Sequence, residues 1–364
     1  MKLAFYGSSL VSAYWNGAAT YYRGVLSELH KRGWEITFYE PDAFDRQSHR
    51  DLDEVSYARS VVYPATEAAA RAALDHGRDA DVVVKASGVG VFDDLLLAGV
   101  LETARADALA IFWDVDAAAT LEELAQAGEQ HPTRRALPRL DHVLTYGGGE
   151  PVVSRYGAFG AAACTPIYNA LDPSSHHPTP PEPRFRSDLN FLANRLPDRE
   201  ARVEEFFLRA AALQPKRRFL IGGNGWRDKA VPANVEAIGH VGTADHNAFN
   251  TSALAVLNVA RDSMAAIGFS PATRVFEAAG AGGCLITDHW EGIPMFLEPD
   301  AEVLVARDGQ DVAEHVAALT PERARAIGDA ARVRILREHT YEKRGAQVDA
   351  LLREAVARKR SLAA

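Results

Sequence analysis

The block from Phe269 to Asp288, FSPATRVFEAAGAGGCLITD, sets an arginine and a glutamate three residues apart at the start of a helical pattern. A helix N-terminus offers unpaired N–H groups and a positive dipole end, which together suit a phosphate. Ser270 or Thr273 would cap that helix, and Arg274 in its first turn would add a fork of charged donors for phosphate oxygens. Glu277 falls on the same face and can accept hydrogen bonds from vicinal ribose hydroxyls. Gly280, Gly282 and Gly283 let the helix end close to the next strand. The competing reading is a capped helix carrying a solvated ion pair between Arg274 and Glu277.

Three further clusters follow apolar runs. Asn194 to Arg199 succeeds LNFLA, so Arg195 and Arg199 open a helix at a strand's carboxyl end, where an anion is again favoured; the alternative makes Asp198 the N-cap. Ile221 to Trp226 holds three glycines, and Gly223 and Asn224 there would let backbone approach a ligand. In the first half, Trp113-Asp114-Val115-Asp116 ends a buried-looking strand with two carboxylates. Asp114 and Asp116 suit a general base or the holding of sugar hydroxyls, with the N-cap of the next helix as the alternative. Tyr14-Trp15-Asn16-Gly17-Ala18 opens the first long helix, Tyr146 to Glu150 is another strand-to-glycine turn, and Lys85 and Ser87 are lesser candidates of the same kind.

The familiar alternatives have no anchor. His176 and His177 are adjacent, so they point apart, and no carboxylate stands at a ligand spacing; no metal site is expected. His246 and His289 are isolated and read as cap or surface residues. No HExxH, CxxC pair, GxSxG, GxGxxG or GxxxxGK[ST] occurs. Cys164 and Cys284 sit far apart in apolar runs and read as reduced core residues.

These clusters need elements to hold them. The 364 residues allow two domains of ordinary size, and 47% hydrophobic with 24% charged residues describes a globular chain. Forty Lys plus Arg against 49 Asp plus Glu give a net charge of −9, which disfavours nucleic acid as a partner. The C-terminal Arg358-Lys359-Arg360 reads as a solvated helix end. No apolar run is long enough to span a membrane and no secretory pattern opens the chain, so a cytoplasmic protein is expected. Strands are expected at Leu3–Tyr6, Trp34–Tyr39, Val82–Val84, Ala108–Phe112 and Val143–Tyr146, alternating with helices. DPSSHHPTPPEPRFR, from Asp172 to Arg186, interrupts that alternation with five prolines. Strands then resume at Leu189–Leu192, Phe219–Ile221, Leu254–Asn258, Gly283–Ile286 and Val303–Val305. The pattern predicts an α/β fold: an N-terminal domain over 1–172, a Pro-rich linker over 173–187, a second domain over 188–340 and a final helix over 341–364.

From Arg274 onward the order of pieces resembles a known family. Arg274-Val-Phe-Glu277, Gly282-Gly283-Cys-Leu-Ile-Thr-Asp288, Gly292-Ile-Pro-Met-Phe, Glu302-Val-Leu-Val and His339-Thr-Tyr-Glu-Lys-Arg344 are similar to the carboxyl-terminal domain of CgeB-like (spore-maturation protein-like) glycosyltransferases of the GT-B type, over about 190 to 345. The resemblance implies two Rossmann-like domains facing across a cleft, the first taking the acceptor, the second a sugar nucleotide, with the final helix crossing back. It implies that Arg274 meets the diphosphate, Glu277 the ribose, that Arg195 or Arg199 adds phosphate charge, and that Gly17 sits by the transferred sugar. Cations and a helix dipole can replace a metal at the leaving diphosphate, so no metal and no cofactor are expected. The chain departs from the pattern at Phe269, eight positions before Glu277, where many retaining members carry a second glutamate; the stereochemical outcome therefore does not follow. If the reaction inverts, Asp114 or Asp116 is the expected base.

The implied activity is transfer of a hexose-type sugar from a nucleoside-diphosphate sugar to an acceptor that is a saccharide, small molecule or protein. A sugar-nucleotide epimerase of the same fold, or a non-catalytic sugar-nucleotide or carbohydrate-binding protein, is the alternative.

Overall fold

Apolar runs such as LAFY, VVV and AIFW become strands buried on both faces, as parallel sheets require. The computed structural model describes residues 1–14 and 16–363; Trp15, one of the residues singled out at the opening of the first long helix, lies outside them. The chain divides into two compact units, residues 1–168 with 341–364, and residues 169–340.

The first unit holds seven strands: β1 (Lys2–Tyr6), β2 (Glu35–Asp42), β3 (Arg59–Pro64), β4 (Val82–Ala86), β5 (Leu109–Asp114), β6 (His142–Thr145) and β7 (Cys164–Pro166). They pair in parallel in the order β3-β2-β1-β4-β5-β6-β7. Phe5 stacks on Phe38 at 5.2 Å and tilts against Trp113 at 5.7 Å. Trp113 donates its indole N–H to the Tyr21 hydroxyl at 3.0 Å, and that hydroxyl donates to the Ile167 carbonyl at 2.7 Å. The final helix, Tyr341–Ala363, lies along the helix Ala19–Lys31. The two approach closely because Gly24 lacks a side chain: a Cβ there would stand 2.4 Å from the Tyr341 ring.

The second unit holds β8 (Ser187–Leu192), β9 (Phe219–Gly222), β10 (Val235–Gly239), β11 (Ala253–Asn258), β12 (Leu285–Asp288) and β13 (Leu304–Ala306). They pair in parallel in the order β10-β9-β8-β11-β12-β13. Phe191, Phe207, Trp226, Leu257 and Ile286 belong to its main buried cluster. The proline-rich segment, set apart in the sequence reading as a linker, belongs to this unit. Asn247 fastens it, accepting from the His177 N–H at 3.3 Å and donating to the Ser175 carbonyl at 2.9 Å. Those bonds account for its order despite its prolines.

The expected α/β architecture holds, with each predicted strand present. The additional strands β3, β7 and β10 are all sheet edges. An edge strand has one neighbour and partial exposure, so its sequence carries a weaker apolar run than an interior strand. Among the described residues, no helix is long and apolar enough to cross a membrane.

Candidate functional site

In an open parallel sheet, the crevice for a ligand lies beyond the carboxyl ends of the strands where strand order reverses. In the second unit that point falls between β8 and β11. The segments leaving these strands carry Arg195 and Arg199 on one side and Arg261 and Arg274 on the other.

Some helices of this unit are capped by a side chain and others, Pro197–Val203 and Thr273–Gly280 among them, are not. Asp308 caps the helix Gly309–Ala318, accepting from the Gln310 and Asp311 N–H groups at 2.8 and 2.9 Å. Thr320 caps the helix Pro321–Glu338 through the Arg323 N–H at 3.2 Å. At Thr273–Gly280 the N-cap position is Ala272, and no side chain caps the helix. The expected cap by Ser270 or Thr273 is therefore absent: Thr273 is the first helical residue, one place too late. The positive end of this helix is left for an outside group.

Arg274 and Glu277 do not form the ion pair that the bland reading required; among the described residues Arg274 has no hydrogen-bonded or ion-paired partner. Burial draws the Arg274 guanidinium below its ordinary range, Glu277 opposes that shift, and the like charge of Arg199 adds to it. Arg199 is the second such cation: its Nε is buried without a partner, and burial lowers it too. These two neighbouring arginines are both desolvated, and neither is paired with a carboxylate.

The other arginines nearby are spent inside the protein. Arg195 is held by both oxygens of Glu200, at 2.8 and 2.6 Å, and Glu200 also accepts from Lys229 at 2.6 Å. Arg261 pairs with Asp198. Asp198 is consequently not the N-cap of its helix, which begins at Pro197 behind Leu196. Arg202 donates to the fully buried Asp288 at 2.6 Å.

The glycine loop also differs from expectation. Gly223 has φ +114°, and a Cβ there would meet the Ala193 carbonyl oxygen at 2.1 Å. Its missing side chain thus serves the chain's own backbone. Asn224 is exposed and receives a hydrogen bond at its carbonyl from the Arg195 N–H at 2.9 Å, so this loop and the 193–195 segment are laced together.

Sequence reasoning missed what lies beside Glu277. His176 and His246, expected as linker and surface residues, stand with Glu277 so that one ligand atom from each lies within 4.8 Å of the others. His176 is buried, its Nε2 is 3.8 Å from a Glu277 oxygen and has no hydrogen bond, and its Nδ1 lies 2.9 Å from the Ser175 hydroxyl. Burial lowers the His246 pKa, Glu277 opposes that, and Arg274 and His176 reinforce it. Separations of 70 and 31 residues along the chain hid the cluster; bonds such as those of Asn247 to the proline-rich segment explain why it forms.

In the first unit the strand order reverses between β1 and β4. Gly17 is in the turn before the helix Ala19–Lys31, with open space where a Cβ would stand. It belongs to a different unit from Arg274 and Glu277. The preceding loop is fixed by Glu40, fully buried, which accepts from the Ser9 hydroxyl at 2.9 Å and the Leu10 N–H at 2.7 Å. Asp114 requires a correction. It is fully buried and accepts from the Tyr156 hydroxyl, the Ser87 hydroxyl at 2.7 Å, the Asp116 N–H at 3.0 Å and the Thr120 hydroxyl at 3.1 Å. Burial raises its pKa against those bonds. A carboxylate so enclosed organises the loop after β5. Asp116 is half-buried at the N-cap position of the helix Ala117–Ala127, whose N–H groups it does not cap.

Residues 199–350 match a family described as glycosyl transferase-like. No curated protein matches the chain in sequence. Solved structures do match in fold. Sucrose-phosphate synthase from Thermosynechococcus elongatus has a TM-score of 0.69 at 14% identity, covering 98% of this chain and 99% of that one. HepE of Anabaena in complex with UDP and glucose has a TM-score of 0.67 at 12% identity, covering 97% and 100%. T4 phage BGT in complex with its UDP-glucose substrate has a TM-score of 0.60 at 12% identity, covering 98% and 99%. The chain thus has the two-sheet fold of GT-B glycosyltransferases.

Proposed function

We propose that the protein is a glycosyltransferase, taking a hexose-type sugar from a nucleoside-diphosphate donor without a metal. The observation that carries this reading is the pair of desolvated, carboxylate-free arginines, Arg274 and Arg199, beside an uncapped helix N-terminus. A diphosphate supplies the charge they lack, and the same cations stabilise it as it leaves the sugar. Glu277 accepts the ribose hydroxyls, and Thr273 opens the helix at the phosphate. UDP-sugars are the first donors to test, because fold neighbours were solved with UDP and UDP-glucose. The finer likeness to CgeB-like enzymes belongs to the same proposal.

The acceptor hydroxyl attacks the anomeric carbon as the bond to the diphosphate breaks. If the stereochemistry inverts, the hydroxyl proton passes to Asp116. Asp116→Asn should then lower turnover while nucleotide affinity stays unchanged; unaltered turnover would put the base elsewhere.

The deciding experiment is thermal unfolding with UDP-, GDP-, ADP- and dTDP-sugars in EDTA. A ligand that binds the native state raises the midpoint, so one nucleotide family should stand out. No shift with any donor would overturn the reading. The enclosure of Asp114 in protein hydrogen bonds favours, as a second reading, a non-catalytic sugar-nucleotide-binding protein. That reading predicts a thermal shift with no turnover over an acceptor panel, whereas an epimerase would convert donor alone.

A further inference from the structure

The His176, His246 and Glu277 cluster goes beyond sugar transfer. Two imidazoles and one carboxylate from three separate segments converge, with their ligand atoms all within 4.8 Å of one another. Zinc bound by nitrogen and oxygen at about 2.0–2.2 Å sets its ligands roughly 3.3–3.5 Å apart, so shifts of about 1 Å would close the set. The His176 Nε2 is the independent sign. It is buried, faces a Glu277 oxygen at 3.8 Å, and makes no hydrogen bond. No protein group answers that nitrogen, and a carboxylate oxygen stands opposite it.

The surroundings also have the form of a metal's outer shell, in which a ligating histidine is oriented through its second nitrogen. The His176 Nδ1 is held by the Ser175 hydroxyl at 2.9 Å, and the His246 ring is within hydrogen-bonding reach of the Val241 carbonyl. Three protein ligands leave a fourth position for water. Two imidazoles and one carboxylate select zinc-like transition ions over magnesium or calcium, which take oxygen ligands.

We propose that His176, His246 and Glu277 form a binding site for a divalent transition metal, zinc being the reference ion. The site shares Glu277 with the proposed ribose contact, and to that extent rests on the reading above. A carboxylate ligating zinc is withdrawn from a ribose, so the metal acts as an inhibitor of donor binding, not as a helper in transfer.

The test uses the EDTA-stripped full chain and Co2+ alone, with no nucleotide. One equivalent should give the visible absorption of four-coordinate cobalt, and Zn2+ should bleach it. His176→Ala and His246→Ala should each abolish the band, with circular dichroism checking the fold of both. Ser175→Ala should weaken metal affinity by about 10-fold, as loss of an outer-shell partner does. Absence of the band in the unaltered chain, or its persistence in both folded histidine variants, overturns the site. Nucleotide binding measured in EDTA is independent of this titration, so either idea can fail while the other stands. Zn2+ that binds yet leaves nucleotide affinity unchanged would overturn the inhibitory role.

Discussion

Asp114 in the first unit and Arg274 in the second are both desolvated charged groups just beyond or at the end of a sheet, but the protein treats them oppositely. Asp114 accepts from four protein donors, so its charge is answered inside the fold. Arg274 has no carboxylate on it, and its nearest influential charge besides Glu277 is another arginine. A buried charge that is fully answered is part of the architecture, while one left unanswered costs stability that only a ligand can return. The contrast separates a carboxylate built into the fold from arginines that the proposed donor would answer.

The strongest way to break the comparison is Asp114→Ala. Four donors would lose their acceptor, and stability should fall by about 3 kcal/mol or more, read from urea unfolding, with nucleotide affinity unaltered in the folded fraction. A small stability change would deprive Asp114 of its structural role. Arg274→Ala should do the reverse. It should cost about 1.5–3 kcal/mol of nucleotide binding by calorimetry, while the urea midpoint stays level or rises because an unpaired desolvated charge has gone. Arg199→Ala should act in the same direction and less strongly, since Arg274 is the more completely buried of the two. Equal loss of fold and ligand in either arginine variant would erase the distinction.

Arg195 sharpens the comparison, being an arginine that is answered. Its carboxylate partner, Glu200, is held well below its usual range, at about 2, first by Arg195 and then by Lys229. The ionised form is the one favoured in the folded state, so this stabilisation is present above the ordinary glutamate value and lost as pH falls through it toward about 2. Glu200→Gln should therefore flatten the acid limb of stability against pH without changing affinity for nucleotide at neutral pH. The effect should be the smallest of the four, because the group is partly open to solvent that screens it. An unchanged acid limb would mean that the triad with Lys229 contributes nothing.

The sequence made the interior of each sheet legible and its margins obscure. VVV in β4 and LNFL in β8 are buried on both faces and stand out as apolar runs. RSVVYP in β3 and VEAIG in β10 carry a charge and half-exposed positions at a sheet edge, so their pattern is diluted. In the site, the three-residue spacing of Arg274 and Glu277 was readable because a helix fixes it. Whether Arg195 or Arg199 would be the available cation was not, since that depends on Glu200 and Lys229, the latter 30 residues beyond Arg199. His176 was hidden most thoroughly: prolines around it announce a linker, and only long-range bonds such as those from Asn247 and Ser252 reveal that the segment is folded.

The first unit takes its last helix from beyond the second, and this arrangement dictates an order of completion. A ribosome builds from the amino end, so residues 169–340 are finished while the earlier sheet still lacks its closing helix. Until Tyr341 arrives to cover Gly24, and Asp349 to accept from the Trp34 indole at 2.6 Å, that flank of the nascent chain is bare. The half of the molecule that is begun first is thus the half that matures last, and the arginine-bearing unit can be ready for its ligand before its companion is whole.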